Sequence, residues 1–243
     1  MPGSVKALAG TSHTAASSAA IPRLNARQEL TTTSTAQTNR LRALLRDGDD
    51  TDRRLARARL SDAVLAGLVR RRQPAAASRQ HVVRHAEIRR LALALREAVR
   101  ALKANRTELT AIVNDLVPGL TTRPGIGPVS AAQAIVSFSH AGRCRNDAAF
   151  AKLAGTSPIG ASSGQTTRHR LNRSEDRALN KAIHVIANTR MRSDPSTQAY
   201  MPAAVHKANP IARSGAALGV VKGFGPIGRQ ANSSERRNRT GRC

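Results

Sequence analysis

The chain has 243 residues, and its 40 Lys and Arg against 15 Asp and Glu give a formal net charge of +25. Such an excess excludes an ordinary enzyme surface and indicates a polyanionic partner bound with salt-sensitive, largely sequence-independent affinity. With one Tyr, three Phe and no Trp, the chain lacks platforms for base stacking, so contact with backbone phosphates is the expected mode of recognition.

The first part of the chain reads as a leader followed by short helices. Residues 1–23 are rich in Ala, Ser and Thr without periodicity and are expected to be disordered. Residues 24–75 are expected to form short helices: one from Leu24 to Arg46, one capped by Thr51 or Asp52 and running to Leu60, and one beginning at Ser61-Asp62. Four acidic residues lie close together in sequence: Asp47, Asp49, Asp50 and Asp52. They could suggest a metal site, but a solvated acidic loop is the favoured interpretation.

A long helix is predicted over residues 76–117, which contain no Pro or Gly. Its apolar residues alternate in steps of three and four, as in a heptad seam interrupted at Asn105. The seam comprises Ile88, Leu91, Leu95, Ala98, Leu102, Leu109, Ile112 and Leu116. Two interpretations remain open: a coiled coil between subunits, or a long helix packed on the chain's own shorter helices.

A glycine-containing hairpin follows at Pro124-Gly125-Ile126-Gly127-Pro128, ahead of the helix-favouring run Val129–Val136. Glycines allow a tight turn, Ile126 can enter the core, and the backbone N–H groups at a helix N-terminus suit a phosphate. This pattern is typical of a helix-hairpin-helix, in which Gly125, Ile126 and Gly127 contact the DNA backbone. An ordinary turn between helices is the alternative.

A serine-containing loop and a basic cluster come next, after a second helix near residues 147–154. Ser162 and Ser163 precede Gly164, and four basic residues follow: Arg168, His169, Arg170 and Arg173. A serine beside cationic groups suits a nucleophile that attacks a phosphodiester, with the cations holding the phosphate. The alternative is a polar loop beside a solvated basic face.

The last predicted helix begins at Ser174-Glu175-Asp176, with Ser174 as its cap, and ends near Arg192. Its apolar face carries Ala178, Leu179, Ala182, Ile183, Ile186 and Ala187, with His184 off that face. Tyr200 is the rival nucleophile, but it lacks clustered basic neighbours in sequence and ranks below Ser163.

Three stretches resemble the insertion-sequence-110/116/902 transposases, recombinases guided by a bridge RNA: RPGIGPVSAAQAI, AFAKLAGTSPIGASSGQTTRHRLNR and DRALNKAIHVIANTRMRSDPSTQAY. The resemblance extends from about Leu24 to Ala203 and implies that residues 118–203 form the carboxy-terminal transposase domain. It implies Ser163 as the catalytic serine, with Ser162 as the weaker candidate. It also favours a homo-oligomer joined through the coiled coil.

The resemblance also implies an amino-terminal RuvC-like domain, which has no counterpart ahead of Leu24. In the family that domain binds the divalent metal, so Mg²⁺ is expected only with it and no cofactor is expected for this chain. We therefore expect a DNA-binding transposase fragment, with a guide RNA as a further partner, that does not cut and join DNA alone. The alternative function is a non-catalytic basic module that binds DNA or RNA.

The fold expected from these elements is mainly α: a long coiled-coil helix, then a small helical domain with a helix-hairpin-helix. Ala204–Leu218 can be encoded by codons that read, one nucleotide out of frame, as a basic helical segment, which indicates a one-nucleotide deletion near the codon for Ala204. Residues 204–243 are therefore expected to be a frame-shifted, disordered tail. Cys144 and Cys243 fit neither a disulfide framework nor zinc spacing. No apolar run is long enough to span a membrane, and the amino terminus lacks the apolar stretch of a signal peptide, so a soluble cytoplasmic protein without a membrane partner is expected.

Overall fold

A computed structural model describes residues 5–72, 78–139, 143–157, 159–160, 169–170 and 176–199. Over these residues the chain is mainly helical, as the sequence predicts. The elements, in chain order, are α1 (Val5–Arg46), α2 (Asp50–Arg57), α3 (Asp62–Arg70), α4 (Arg79–Leu116), α5 (Pro128–Phe138), α6 (Asp147–Leu153), β1 (Ile159–Gly160), β2 (His169–Arg170) and α7 (Arg177–Ser193).

The chain divides into two compact units, and the boundaries between them fall inside α1 and α4. The central unit is Asn25–Glu108, and the carboxy-terminal unit combines Met1–Leu24 with Leu109–Cys243. Each unit has its own apolar core. None of the described helices combines the length and the hydrophobicity that crossing a bilayer requires.

The first helix begins much earlier than predicted. α1 starts at Val5 and includes Pro22, whereas a disordered leader was expected up to residue 23. Alanine has the highest helix propensity, so an Ala-rich stretch without apolar periodicity can still be helical. Near Pro22, Ala20 is only 1% exposed and Leu24 packs against the core of the carboxy-terminal unit. Tertiary packing therefore offsets the cost of proline inside this helix.

The caps of α2 and α3 show how local chemistry sets these short helices. Asp49 caps α2 by accepting a hydrogen bond from the Asp52 backbone N–H at 2.8 Å, where Thr51 or Asp52 was expected as the cap. The helix ends at Arg57 rather than near Leu60. Ser61 caps α3 by accepting from the backbone N–H of Val64 at 3.4 Å, which confirms the predicted start of that helix.

The acidic cluster around the start of α2 is not a solvated loop, contrary to the expectation, because Asp52 lies inside α2 and is 1% exposed. Arg71 forms ion pairs with both Asp52 and Asp49, the second at 3.4 Å. The Arg71 guanidinium thus compensates a buried carboxylate, which otherwise would be costly to desolvate. The cluster joins the end of α3 to the start of α2.

The α4 seam packs within the chain, which decides between the two interpretations of the long helix. In the central unit, Ile88, Leu91 and Leu95 are buried in a core to which α1, α2 and α3 also contribute. The remaining members of that core are Leu41, Leu45, Ala56, Leu65, Leu68 and Ala92. The expectation that this seam joins two subunits is therefore wrong for these residues.

Polar contacts show that α1 and α4 run antiparallel in the central unit. Arg40 Nε lies 3.2 Å from Glu87 Oε1, while Arg27 Nη1 donates to the Leu102 carbonyl at 3.1 Å. Arg27 also donates to Asn105 Oδ1 at 3.5 Å, so the polar interruption of the seam is buried and hydrogen-bonded. Burial, followed by the charge of Arg106, lowers the pKa of Arg27.

The core of the carboxy-terminal unit is built from α5, α6 and α7 together with the last turns of α4. Its buried members are Leu109, Val113, Leu120, Ile126, Ala131, Ala132, Ala134, Ile135, Phe150, Ala151, Ala154, Leu179, Ile183, Ile186 and Ala187. The predicted apolar face of α7 is confirmed except at Ala178, which is exposed. α7 is capped by Asp176, which accepts from the backbone N–H groups of Ala178 and Leu179, and not by the expected Ser174.

Candidate nucleic-acid interface

A tight turn connects α4 to α5 and ends in the Gly125-Ile126-Gly127 hairpin. Successive backbone bonds shape this turn: Leu120 N–H donates to the Val117 carbonyl at 3.2 Å, and Ile126 N–H donates to the Arg123 carbonyl at 3.1 Å. The Ile126 side chain is 3% exposed and belongs to the core. The prediction that Ile126 enters the core is confirmed, and its burial fixes the backbone on both sides.

Gly125 is required by packing. Its φ is +76°, the left-handed region that residues with a Cβ rarely adopt. A Cβ added there would lie 2.8 Å from Arg190 Cγ and 3.0 Å from the Ile186 carbonyl oxygen. Gly125 therefore lets the hairpin approach the backbone of α7.

Gly127 has a different environment. Its φ of −86° and ψ of 163° are ordinary extended values, and an added Cβ would meet nothing within 4 Å. Gly127 is the N-cap of α5, its carbonyl accepts from Ala131 N–H at 2.9 Å, and no side chain caps the helix. The first N–H groups of a helix have no intrahelical acceptor and lie at the positive end of its dipole. An anion can approach this end of α5 without steric obstruction from Gly127.

Arg190 of α7 is a residue of this site that the sequence did not reveal. Its Nε donates to the Pro124 carbonyl at 2.9 Å, across a separation of 66 residues. The contact brings a guanidinium to the hairpin and fixes the carbonyl that precedes Gly125. Only its position four residues after buried Ile186 could have indicated that Arg190 lies beside the core.

The serine loop is closed by a two-stranded antiparallel sheet that the sequence did not predict. Ile159 pairs with Arg170, and Gly160 pairs with His169. Residues 161–168 connect the two strands, so Ser162, Ser163 and Arg168 belong to the loop between them. These three residues and Arg173 lie outside the described residues, as does Tyr200. The pairing brings the backbone of His169 and Arg170 to the start of the serine loop.

The wider segment from α6 to α7 also has its two ends together. The backbone N–H of Asp176 donates to the Leu153 carbonyl at 3.1 Å, and Asn180 Nδ2 donates to the Ala154 carbonyl at 2.8 Å. Thr156, 4% exposed, donates through Oγ1 to the Ala151 carbonyl at 3.1 Å. The serine and basic residues therefore belong to a segment whose ends are both fixed to the helical core.

The carboxy-terminal unit also carries His184 and Cys144 outside the hairpin. Within the described ranges, no three His, Cys, Asp or Glu side chains are placed to hold a metal ion. His184 is exposed and lies 2.9 Å from Asn188 Nδ2, in agreement with its predicted position off the apolar face. Cys144 is a half-buried free thiol, and burial raises its pKa.

Comparison with known families gives one match, over residues 118–202, to the Transposase IS116/IS110/IS902 family. The matched residues include the hairpin, α5, α6, the two strands and α7. No curated protein matches the chain. Residues 118–202 are therefore similar to an insertion-sequence transposase domain, and the hairpin and the serine loop both lie inside it.

Proposed function

We propose that this chain binds DNA as a component of insertion-sequence transposition, with the hairpin before α5 as a contact to the DNA backbone. The observation that supports this most directly is the N-terminus of α5, where Gly127 leaves the first turn without a side-chain cap. Backbone N–H groups and a helix dipole favour phosphate. The formal net charge of +25 supplies the long-range attraction.

In the proposed reaction Ser163 is the nucleophile. Its Oγ attacks a DNA phosphorus, the Oγ–P bond forms, and the bond from phosphorus to one deoxyribose oxygen breaks. The serine proton passes to a general base, and the departing oxygen leaves as a hydroxyl after taking up a proton. Arg168, His169, Arg170 and Arg173 would hold the phosphate, and a guide RNA would select the DNA.

The hairpin contact is tested by comparing Gly127→Asp with Gly127→Ala in the full chain. Asp at an N-cap accepts from the free N–H groups and places negative charge where the phosphate would bind. We expect Gly127→Asp to weaken binding at least fivefold on several duplexes of unrelated sequence, measured by fluorescence anisotropy at fixed salt. At Gly127 an added Cβ would meet nothing within 4 Å, so Gly127→Ala should bind DNA within about twofold of the parent. A twofold change in affinity is well below 1.4 kcal/mol, since about 1.4 kcal/mol corresponds to a tenfold change. Equal binding by the Asp and Ala variants would contradict the proposal.

The serine chemistry is tested separately. The chain is incubated with duplex DNA, a guide RNA of the family's type and Mg²⁺, and denaturing gels are examined for a protein–DNA adduct. Because this chain is not expected to cut DNA alone, we expect no adduct from the chain by itself. When a RuvC-like domain of the family is added, we expect an adduct that is lost in Ser163→Ala and retained in Ser162→Ala. An adduct that survives Ser163→Ala would exclude that residue as the nucleophile.

A non-catalytic basic module that binds DNA or RNA is the second candidate function. It is supported by the hairpin, since the Gly125-Ile126-Gly127 turn and the uncapped α5 are sufficient for phosphate binding without a nucleophile. DNA binding that depends on Gly127, without any adduct under the conditions above, would favour this candidate.

A further inference from the structure

Four cationic residues of α4 share one side of the helix in the central unit. Arg89, Arg96, Arg100 and Lys103 follow one another at intervals of seven, four and three residues. At about 100° per residue these side chains fall within roughly 60° of one another. At the same roughly 100° per residue, the carboxylates of α4 in this unit lie on other sides of the helix. They are Glu87, Glu97 and Glu108.

We call Arg89, Arg96, Arg100 and Lys103 the α4 basic row. Arg89, Arg100 and Lys103 are exposed, and Arg96 is half-buried. The row lies away from the α4 seam, whose Ile88, Leu91 and Leu95 are buried. Three of the four members of the row are thus presented to solvent on one helix.

A carboxylate from another helix, that of Asp62, contacts the row. Asp62, at the start of α3, accepts from Arg96 Nε at 2.8 Å and from Nη2 at 3.3 Å. The hydrogen bond from Arg96, followed by the charges of Arg96 and Arg100, lowers the pKa of Asp62. Asp62 therefore partly neutralises the middle of the row.

The row is unsuited to self-association. Together with Val82, Ala86 and Leu93, the four residues of the row alternate in steps of four and three, as in a heptad repeat. Four of these seven residues are cationic. Two copies paired along this face would bring like charges together in either orientation, which is destabilising. A polyanion is the partner that matches the charge.

The dimensions and composition favour a double-stranded partner. From Arg89 to Lys103 the helix rises about 21 Å, which corresponds to roughly six base pairs of duplex. The central unit contains no Phe, Tyr or Trp, so it lacks the aromatic platforms on which single strands stack. A straight row of cations instead matches the regular phosphates of a duplex.

We propose that the α4 basic row is a second contact surface for the duplex DNA backbone, in addition to the hairpin. This surface lies outside the residues that match the transposase family, and it does not depend on the role proposed for the hairpin. Asp62 competes with DNA for Arg96 and limits the affinity of this surface.

The test compares two triple variants of the full chain that remove the same charge. Arg89→Gln/Arg100→Gln/Lys103→Gln removes exposed members of the row. The control, Arg40→Gln/Arg53→Gln/Arg90→Gln, removes three arginines that already pair with Glu87 or Asp50. Gln has nearly the helix propensity of Arg and Lys, so both triples should fold, and circular dichroism checks this.

Binding to duplex DNA is measured against salt concentration by fluorescence anisotropy. Each lost phosphate contact lowers the slope of log affinity against log salt by about 0.9, so the row variant should lose about 2.7 and the control less than about 1. Asp62→Asn should bind more tightly than the parent, with a steeper slope, because Arg96 is released. An equal loss of slope in the two triples would show that net charge alone matters and would overturn the proposal.

Two further arms identify the partner and separate this surface from the hairpin. The chain is also tested with duplex RNA of the same length and with anionic vesicles. If either ligand binds tenfold more tightly than DNA through the same row, the assignment to DNA is overturned. Combining the row variant with Gly127→Asp should give additive changes in log affinity, since sites that share no interaction partner add. Loss of binding in the row variant with no effect of Gly127→Asp would retain this surface and reject the hairpin contact.

Discussion

Substituting Gly125 by Ala should destabilise the carboxy-terminal unit far more than the same change at Gly127 or Gly119. At Gly125 the φ of +76° is retained only with strain, which costs an L-residue about 1–2 kcal/mol. The added methyl would also lie 2.8 Å from Arg190 Cγ and 3.0 Å from the Ile186 carbonyl. Such overpacking costs about 1–3 kcal/mol, so Gly125→Ala should lower the free energy of unfolding by about 2–5 kcal/mol.

The two control glycines separate these contributions. Gly119 has the same φ of +76°, but an added Cβ would have its nearest contact at 3.9 Å, with Thr122 Oγ1. Gly119→Ala should therefore cost only the backbone strain, about 1–2 kcal/mol. At Gly127 neither strain nor a contact arises, so that Ala variant should stay within about 1 kcal/mol of the parent, the range of N-cap preferences.

The assay is urea unfolding followed by circular dichroism at 222 nm for the parent and the three variants. A double variant, Gly125→Ala with Arg190→Ala, removes the closest contact and should recover about 1 kcal/mol as a coupling energy, within the range for residues in contact. If Gly125→Ala costs no more than Gly119→Ala, close packing of the hairpin against α7 is not what requires glycine at this position. The reasoning that assigns Gly125 to packing would then be refuted.

Three further predictions concern features outside the hairpin. Arg71→Met should destabilise the central unit by about 3 kcal/mol, because it leaves buried Asp52 without its ion pair. The control, Arg53→Gln, breaks an exposed pair with Asp50 and should cost under about 1 kcal/mol. Similar costs for the two variants in thermal melts would contradict the role assigned to Arg71. Asp176→Ala should cost about 1 kcal/mol through loss of the α7 cap, and Asp176→Asn should retain most of the stability in urea titrations. In a Cys243→Ser background, Cys144 should react with iodoacetamide more slowly than free cysteine at pH 8, since burial raises its pKa and lowers the thiolate fraction; a rate equal to that of the free amino acid would show that the thiol is not held in the fold.

The sequence by itself determined the elements whose causes are local. The Ser61 cap places α3, the apolar spacing of Leu179, Ile183 and Ile186 predicts the buried face of α7, and the hairpin sequence predicts the burial of Ile126. Capping and helical periodicity act within a few residues of the chain, so they can be read without knowledge of distant contacts. The start of α1 was missed because residues 1–23 lack apolar periodicity, whereas the burial of Ala20 and the packing of Leu24 support the helix on both sides of Pro22.

Only the tertiary structure decided which residues meet across long separations. A heptad pattern shows that α4 has a seam, but the contacts of Glu87 with Arg40 and of Asn105 with Arg27 show that the chain's own α1 lies along it. The two glycines of the hairpin look equivalent in sequence, yet α7 lies against Gly125 and not against Gly127. Arg190 reaches the hairpin across 66 residues. Such pairings depend on how several apolar faces pack together, and no local pattern encodes that arrangement.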